Sequence, residues 1–364
     1  MNYMIAMSGG VDSSVSLSLM KKSLREGEGI LGVTLALADK NSPEHEADEK
    51  NISDAHSVCE NQGVGHTFLY AHDEFKKAVI DYFTSSYLSG RTPNPCVICN
   101  REIKFGLLYS YAKSRGYDAV VTGHYARRAE YGGYTCIRRA ADLKKDQSYV
   151  LAMLSQNQVN AAYFPLGEYT KDEAREIAAE NGFVNAHRHD SQDICFIPDG
   201  DYVEFMKRIG AALPTEGNYL DTDGRVIGRH RGHVNYTIGQ RKGLGISLGR
   251  HAFVLSKDAE KNEVVLGDEG GLFKKRVYVN GLNLPSDPHA LDGEVRVAAK
   301  LRYAHKPSPA VFTRTGERDG YLTFDEAQRA PSPGQFAVMY TPDASDTDEK
   351  TSSLALVLGG GEII

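Results

Sequence analysis

Along the first 130 positions, short apolar clusters alternate with amphipathic stretches. Tyr3–Met7 (YMIAM), Ile30–Leu37 (ILGVTLAL) and His66–Tyr70 (HTFLY) have the length and composition of buried strands. Between them Val11, Val15, Leu19 and Leu24 recur at near-helical spacing, and Ile52–Asn61 reads as a helix closed by Gly63. The acidic, polar segment up to Lys50 reads as a loop, and Asp73 to about Leu88 as a further helix. Asp118–Ala126 (DAVVTGHYA) is a strand running into Gly-His. Strand–helix alternation of this kind predicts an α/β fold with a parallel, doubly wound sheet. Ligands of such sheets bind beyond the carboxyl ends of the strands. The segments SGGVDSS (Ser8–Ser14), GRTPNPC and TGH fall at or near those ends.

Further on, TKDEAREIAAENG is a helix with Thr170 as cap, Glu173 completing a capping box and Gly182 as its stop. After Phe205 the texture changes, and from Gly217 short β-rich runs are punctuated by Gly, Asp and Pro, the pattern of β-barrel modules. Three domains are expected: 1–200 α/β and catalytic, 201–270 small and central, 271–364 a β-barrel. PDASDTDEK (Pro342–Lys350) reads as a surface loop.

Composition narrows the class. The chain is 41% hydrophobic and 25% charged, within the globular range. The start has no basic region, and no apolar run approaches the ~18 residues that a span requires. The expectation is a soluble, cytoplasmic protein without a membrane partner. Five cysteines, at 59, 96, 99, 136 and 195, argue against a disulfide framework and leave metal binding, catalysis or burial. The net charge of −6 disfavours polyanions overall. Between Gly224 and Ser256, however, Arg225, Arg229, Arg231, Arg241, Lys242 and Arg250 stand without an acid, so that stretch is either an RNA-docking surface or a solvated loop.

The candidate chemistry lies in two places. In SGGVDSS, Gly9 and Gly10 can turn backbone N–H groups inward at a helix start, and Ser8, Ser13 and Ser14 add hydroxyls. Asp12 suits a triphosphate only with Mg²⁺ between them. The loop has no lysine, which fits a site that holds pyrophosphate while the α-phosphate is attacked. In RTPNPCVICNREIKFG, Asn94 can cap a helix with Pro95 at its first position. Cys96 and Cys99 then fall at the helix start, where the dipole lowers a thiol pKa. C-x-x-C is equally the spacing of a metal or iron–sulfur half-site, for which Cys195 is the remaining candidate ligand. Cys59 and Cys136 read as packing residues.

These motifs, with TGHYAR, KDQSYVL, FPLGEYTKDE, DSQDICFIPDGDY, YTIGQRKGLGI, LRYAHKP, PSPGQ and LGGG, run along the whole chain. Together they resemble the bacterial tRNA-specific 2-thiouridylase (MnmA/TrmU) family. The resemblance implies a PP-loop ATP-pyrophosphatase domain of the adenine nucleotide α-hydrolase type, a central tRNA-binding domain and a C-terminal β-barrel. It implies adenylation of the 2-oxo oxygen of the wobble uridine, then sulfur transfer giving 2-thiouridine, AMP and pyrophosphate. Cys195 would carry a persulfide received from a donor protein, and Cys99 would close a transient Cys99–Cys195 disulfide. Asp12 is placed in the catalytic group. ATP contacts are implied at Ala6, Met7, Ser8, Gly9, Gly10, Val11, Asp12, Ser13, Leu35 and Gly123. Asn94, Pro95 and Cys96 would touch the target base, while His124, Asp146, Gln147, Ser148, Arg302, Tyr303 and Gln335 would contact tRNA rather than DNA. Ala6 stands where the family usually has Gly, and HRHD precedes DSQD where lysine is commoner. Some members have Asp at the position of Cys96, so an iron–sulfur cluster on Cys96, Cys99 and Cys195 is an alternative route. Another adenylating enzyme on the same loop, or an RNA-binding protein with a metal clip, are the other readings.

Overall fold

The computed structural model describes residues 1–42, 44–183, 185 and 194–364. The HRHD and DSQD motifs therefore lie outside the described residues.

The amino-terminal strands are β1 (Asn2–Ala6), β2 (Gly29–Ala36), β3 (Gly65–Tyr70), β4 (Ala119–Val121) and β7 (Ala162–Tyr163). They form one sheet in the order β3-β2-β1-β4-β7, with every pair parallel. Side chains along β1 alternate between two cores. Met4 packs with Phe75, Val97 and Phe105 of helices on one face, while Tyr3 and Ile5 pack with Val15, Val58 and Ala174 on the other. A strand buried on both faces has to read as a continuous apolar run, as YMIAM does. The chain reverses direction across the sheet between β1 and β4, which puts the ligand crevice there.

Several elements differ from the reading of the sequence. The second helix starts at His45, seven residues earlier than expected, because Glu46 and Asp48 occupy its first turn and favour the positive helix end. The DAVVTGHYA strand stops at Val121, and β5 (Arg127–Tyr131) and β6 (Tyr134–Arg138) form a separate hairpin. The helix capped by Asn94 runs over residues 95–114, with a π segment at Cys99–Leu107.

The central module is a four-stranded sheet of order β10-β11-β8-β9, from β8 (Gly217–Leu220), β9 (Val226–His230), β10 (Phe253–Asp258) and β11 (Glu263–Gly267). Tyr219, Tyr236, Val254 and Leu266 fill its core. The last six strands close a barrel: β12 (Phe273–Asn283), β13 (Glu294–Lys300), β14 (Ser308–Arg314), β15 (Gly320–Arg329), β16 (Phe336–Tyr340) and β17 (Val357–Ile363). All five residues of β16 are buried. Ala337 and Met339 point into the barrel core, whereas Phe336, Val338 and Tyr340 enter the core of the first domain. PDASDTDEK is not a plain surface loop: it forms a 3-10 turn and helix Glu349–Ser353, and Ala344 within it is buried. No described helix is long and apolar enough to cross a membrane.

Candidate active site

The glycine loop leaves β1 at Ala6, and Met7 N–H donates to the Val33 carbonyl at 2.8 Å, so the strand end is tied to β2. Gly9 has φ +70°, and a Cβ there would lie 2.9 Å from the Asn51 carbonyl oxygen. Only glycine fits that turn. Across the crevice Gly123 follows β4, and its Cβ would lie 2.9 Å from the Asp12 carbonyl carbon. No side chain caps helix Val11–Ser23 at Gly10 among the described residues, so its positive end opens toward the crevice. Leu35 lies at the carboxyl end of β2, on the same edge.

The serines divide the work differently from expectation. Ser14 Oγ and Ser13 Oγ both donate to the Gly10 carbonyl, at 3.1 and 2.9 Å, and Ser13 Oγ accepts from Ser8 N–H at 3.2 Å. Their hydroxyls fasten the loop, and the exposed hydroxyl is that of Ser8. Asn185 adds a long-range tie, donating to the Gly9 carbonyl and to Ser14 Oγ, each at 2.9 Å.

Nor does the site lack a lysine. Asp12 Oδ1 accepts from Lys171 Nζ at 2.7 Å and from the Tyr125 hydroxyl at 2.9 Å. Lys171 opens helix Lys171–Glu180, whose capping box Thr170–Glu173 forms as the sequence indicates. FPLGEYTKDE contained this lysine, yet its spacing announced only a helix start. The Asp12 side chain remains 35% exposed beside the glycine loop, and a carboxylate beside phosphates is a donor that suits a Mg²⁺ ion.

The thiols form the second part of the site. Asn94 Oδ1 accepts from Val97 N–H at 3.4 Å, capping the helix with Pro95 behind it. Cys96 and Cys195 are exposed, Cys99 is buried, and all three are free thiols. Cys195 and Cys96 stand close enough to Cys99 for their charge to disfavour its thiolate. The expected low pKa of Cys99 is overturned. Burial pushes its thiol up to about 12, against a small lowering by Lys104. Cys99 stands beyond the first helical turn, where the dipole has faded, and is desolvated. Burial also raises Cys96 and Cys195, although both residues keep exposure to solvent. Among the described residues no three His, Cys, Asp or Glu side chains are gathered as a metal would require.

The positions set against tRNA fall into two groups. Tyr303 is exposed on the barrel, near enough to Cys96 to feel its charge. Beside it Lys300, unremarked in the sequence, lies buried with Nζ 5.7 Å from the Tyr149 ring centroid and 5.6 Å from that of Tyr303. Desolvation lowers Lys300 to about 8. The others hold the frame. Asp146 is buried and pairs with Arg139 at 2.9 Å, Ser148 Oγ meets the Tyr340 hydroxyl at 3.2 Å, and Gln147 accepts from Tyr125 N–H at 2.9 Å. His124 is buried against Thr122. Arg302 Nη2 bridges the Ala330 carbonyl at 2.9 Å and Ser332 Oγ at 2.7 Å. Gln335 donates to the Thr92 and Pro93 carbonyls at 2.9 and 3.2 Å, setting the loop that carries Asn94, Pro95 and Cys96.

A parallel sheet with a glycine loop at its reversal point, followed by two β modules, defines a nucleotide-binding α/β protein with appended barrels. The comparisons agree. A tRNA methyl transferase HUP domain model matches residues 1–199, a PRC-barrel domain model 204–268 and an aminomethyltransferase β-barrel model 274–363. The tRNA-specific 2-thiouridylase MnmA of Clostridioides difficile is 42% identical over 366 residues, covering 99% of this chain and 97% of that relative. That of Moorella thermoacetica is 42% identical over 368 residues, with 99% and 98% covered. Among solved structures, a U34-tRNA thiolase, NcsA, from Methanococcus maripaludis is similar with a TM-score of 0.35 and 15% identity, covering 58% of this chain and 66% of that one. The chain belongs to the tRNA-specific 2-thiouridylase (MnmA) family.

Proposed function

We propose that this protein is an ATP-dependent tRNA-uridine 2-sulfurtransferase acting in the cytoplasm. The observations that support the reading are a glycine loop with Asp12 at the end of β1 and, in the same domain, a thiol group in which Cys99 lies near enough to Cys195 to feel its charge. A carbonyl oxygen is a poor leaving group until it bears a phosphate. In this reading the uridine 2-oxo oxygen attacks the α-phosphate of ATP and pyrophosphate departs. The outer sulfur of a Cys195 persulfide, loaded by a donor protein, then bonds to C2, and AMP leaves with the oxygen. The Cys99 thiolate cleaves the sulfur–sulfur bond, closing a Cys99–Cys195 disulfide that an external dithiol must reduce before the next turnover. Mg²⁺ bound by Asp12 and the phosphates would neutralise charge on the polyphosphate. Residues 1–200 perform the chemistry, while 201–270 and 271–364 present the tRNA, with Tyr303 and the Asn94–Cys96 turn nearest the base.

The burial of Cys99 gives this order a physical reason. A thiol held near 12 is protected from premature oxidation. The test is a single turnover on unmodified tRNA transcript, with the protein preloaded using polysulfide, reading 2-thiouridine by mass spectrometry and pyrophosphate separately. C99S and C195S should each release pyrophosphate but lose thiolation by about 100-fold or more. Normal 2-thiouridine formation in either variant would refute the persulfide assignment.

A further inference from the structure

The pairing of Lys171 with Asp12 carries a role that the glycine motif does not contain. Lys171 is only 5% exposed, its Nζ lies 2.7 Å from Asp12 Oδ1, and it also stands 5.9 Å from the Tyr125 ring centroid. Three separate parts of the fold converge on that one oxygen. Helix Val11–Ser23 brings the carboxylate, the turn after Gly123 brings the Tyr125 hydroxyl, and the capping box fixes where Lys171 begins its helix. Ala174 and Ala178, on the same helix as Lys171, pack into the core with Val15 and Leu17. The ammonium thus sits on a rigid element rather than on a mobile loop.

A carboxylate at the mouth of a polyphosphate site repels its ligand, and in a crevice of low dielectric that repulsion is poorly screened. The Lys171 ammonium, 2.7 Å from Asp12 Oδ1, offsets that repulsion. It also fixes the carboxylate through Oδ1, while the Asp12 side chain stays 35% exposed. We infer that Lys171 is a positioning residue for the nucleotide site: it neutralises and orients Asp12, so that the glycine loop presents net positive potential to the phosphates. This deepens the nucleotide reading and rests on it. The lysine that other phosphate loops carry within the motif is supplied here from 159 residues away, and it acts through the aspartate.

The test is equilibrium ATP binding to the full-length protein by titration calorimetry, without and with Mg²⁺. K171M should weaken metal-free ATP binding by about tenfold or more, because it strips the charge from beside Asp12. K171R, which keeps the charge, should stay within about threefold of wild type. The double variant D12N/K171M, which lacks the carboxylate that Lys171 acts through, should bind metal-free ATP within about threefold of D12N. Should K171M fail to fold, as thermal unfolding would reveal, the comparison of the double variant with D12N still decides the matter. A double variant that binds ATP about tenfold more weakly than D12N would overturn the inference, since Lys171 would then touch the phosphates itself. Normal ATP binding by K171M would overturn it alone. Absence of saturable ATP binding by the wild-type protein would overturn the nucleotide reading along with it.

Discussion

His124 illustrates what burial does to a single side chain. It follows β4, its Nδ1 is 2.8 Å from Thr122 Oγ1, and its ring lies 6.2 Å, centroid to centroid, from both Phe105 and Phe164. Burial first, and then the Lys104 charge, hold its pKa well below the ordinary value. The folded protein therefore keeps a neutral imidazole where the unfolded chain would take up a proton. Its contribution to stability is complete above the unfolded value of about 6.5 and is lost as pH falls below it, at about 1.4 kcal/mol per pH unit. Urea unfolding at pH 7.5 and 5.5 should show that loss, and His124→Gln should flatten the slope by the equivalent of one proton. An unchanged slope would mean that the imidazole is not held neutral. Sequence placed this residue beside a glycine at a strand end. Its enclosure by two phenylalanines, 19 residues before it and 40 after it, could not be read there.

At the scale of elements, the helix over 95–114 combines a legible start with an illegible middle. Asn94 and Pro95 announce the cap, but nothing local announces nine residues of π-helix from Cys99 to Leu107. That wide turn leaves backbone carbonyls in need of partners. Gln158 Nε2 supplies them, donating to the Arg101 and Phe105 carbonyls at 2.7 and 3.1 Å, while its Oε1 completes a capping box with Ser155. Gln158→Ala should cost about 2 kcal/mol, since one amide serves several bonds. It should also hasten alkylation of Cys99, as peptide mass spectrometry after iodoacetamide treatment would show. In the wild-type protein Cys96 and Cys195 should label well before Cys99, which is buried and held near 12. First labelling at Cys99 would contradict the burial argument. The early start of the His45–Asn61 helix has a similar origin, because its apolar spacing is sparse and only the acidic first turn hints at it.

The whole molecule is organised by β16, which belongs to two cores at once and so fixes the barrel on the amino-terminal α/β domain. Around it Thr92 N–H donates to the Pro333 carbonyl at 2.8 Å, and Arg91 pairs with Glu362 at 2.6 Å. Gly334 lies in this junction with φ +90°, and a Cβ would come within 2.9 Å of Thr92 N. Gly334→Ala combines backbone strain with a clash, and should destabilise the protein by about 1–3 kcal/mol. Because the junction sets the Asn94–Cys96 turn and not the glycine loop, 2-thiouridine formation should fall while ATP affinity stays near wild type. A parallel loss of both would show that the barrel also shapes the nucleotide crevice.

The sequence by itself determined what a few consecutive residues can determine. A Gly-Gly turn after an apolar strand, an Asn-Pro helix start, a capping box and the alternation of strand and helix each depend on backbone torsions and near-neighbour bonds. They all appear in the structure. Tertiary structure decided what depends on distant partners and on solvent exclusion. It brought Lys171 to Asp12 and Asn185 to Gly9, put Gln335 beneath the Pro93 turn, and held the Cys99 thiol protonated. The physical reason is that charge pairing and pKa follow from desolvation and approach, which no run of neighbouring residues encodes. SGGVDSS is a loop without a lysine only as a string of letters; folded, it has one.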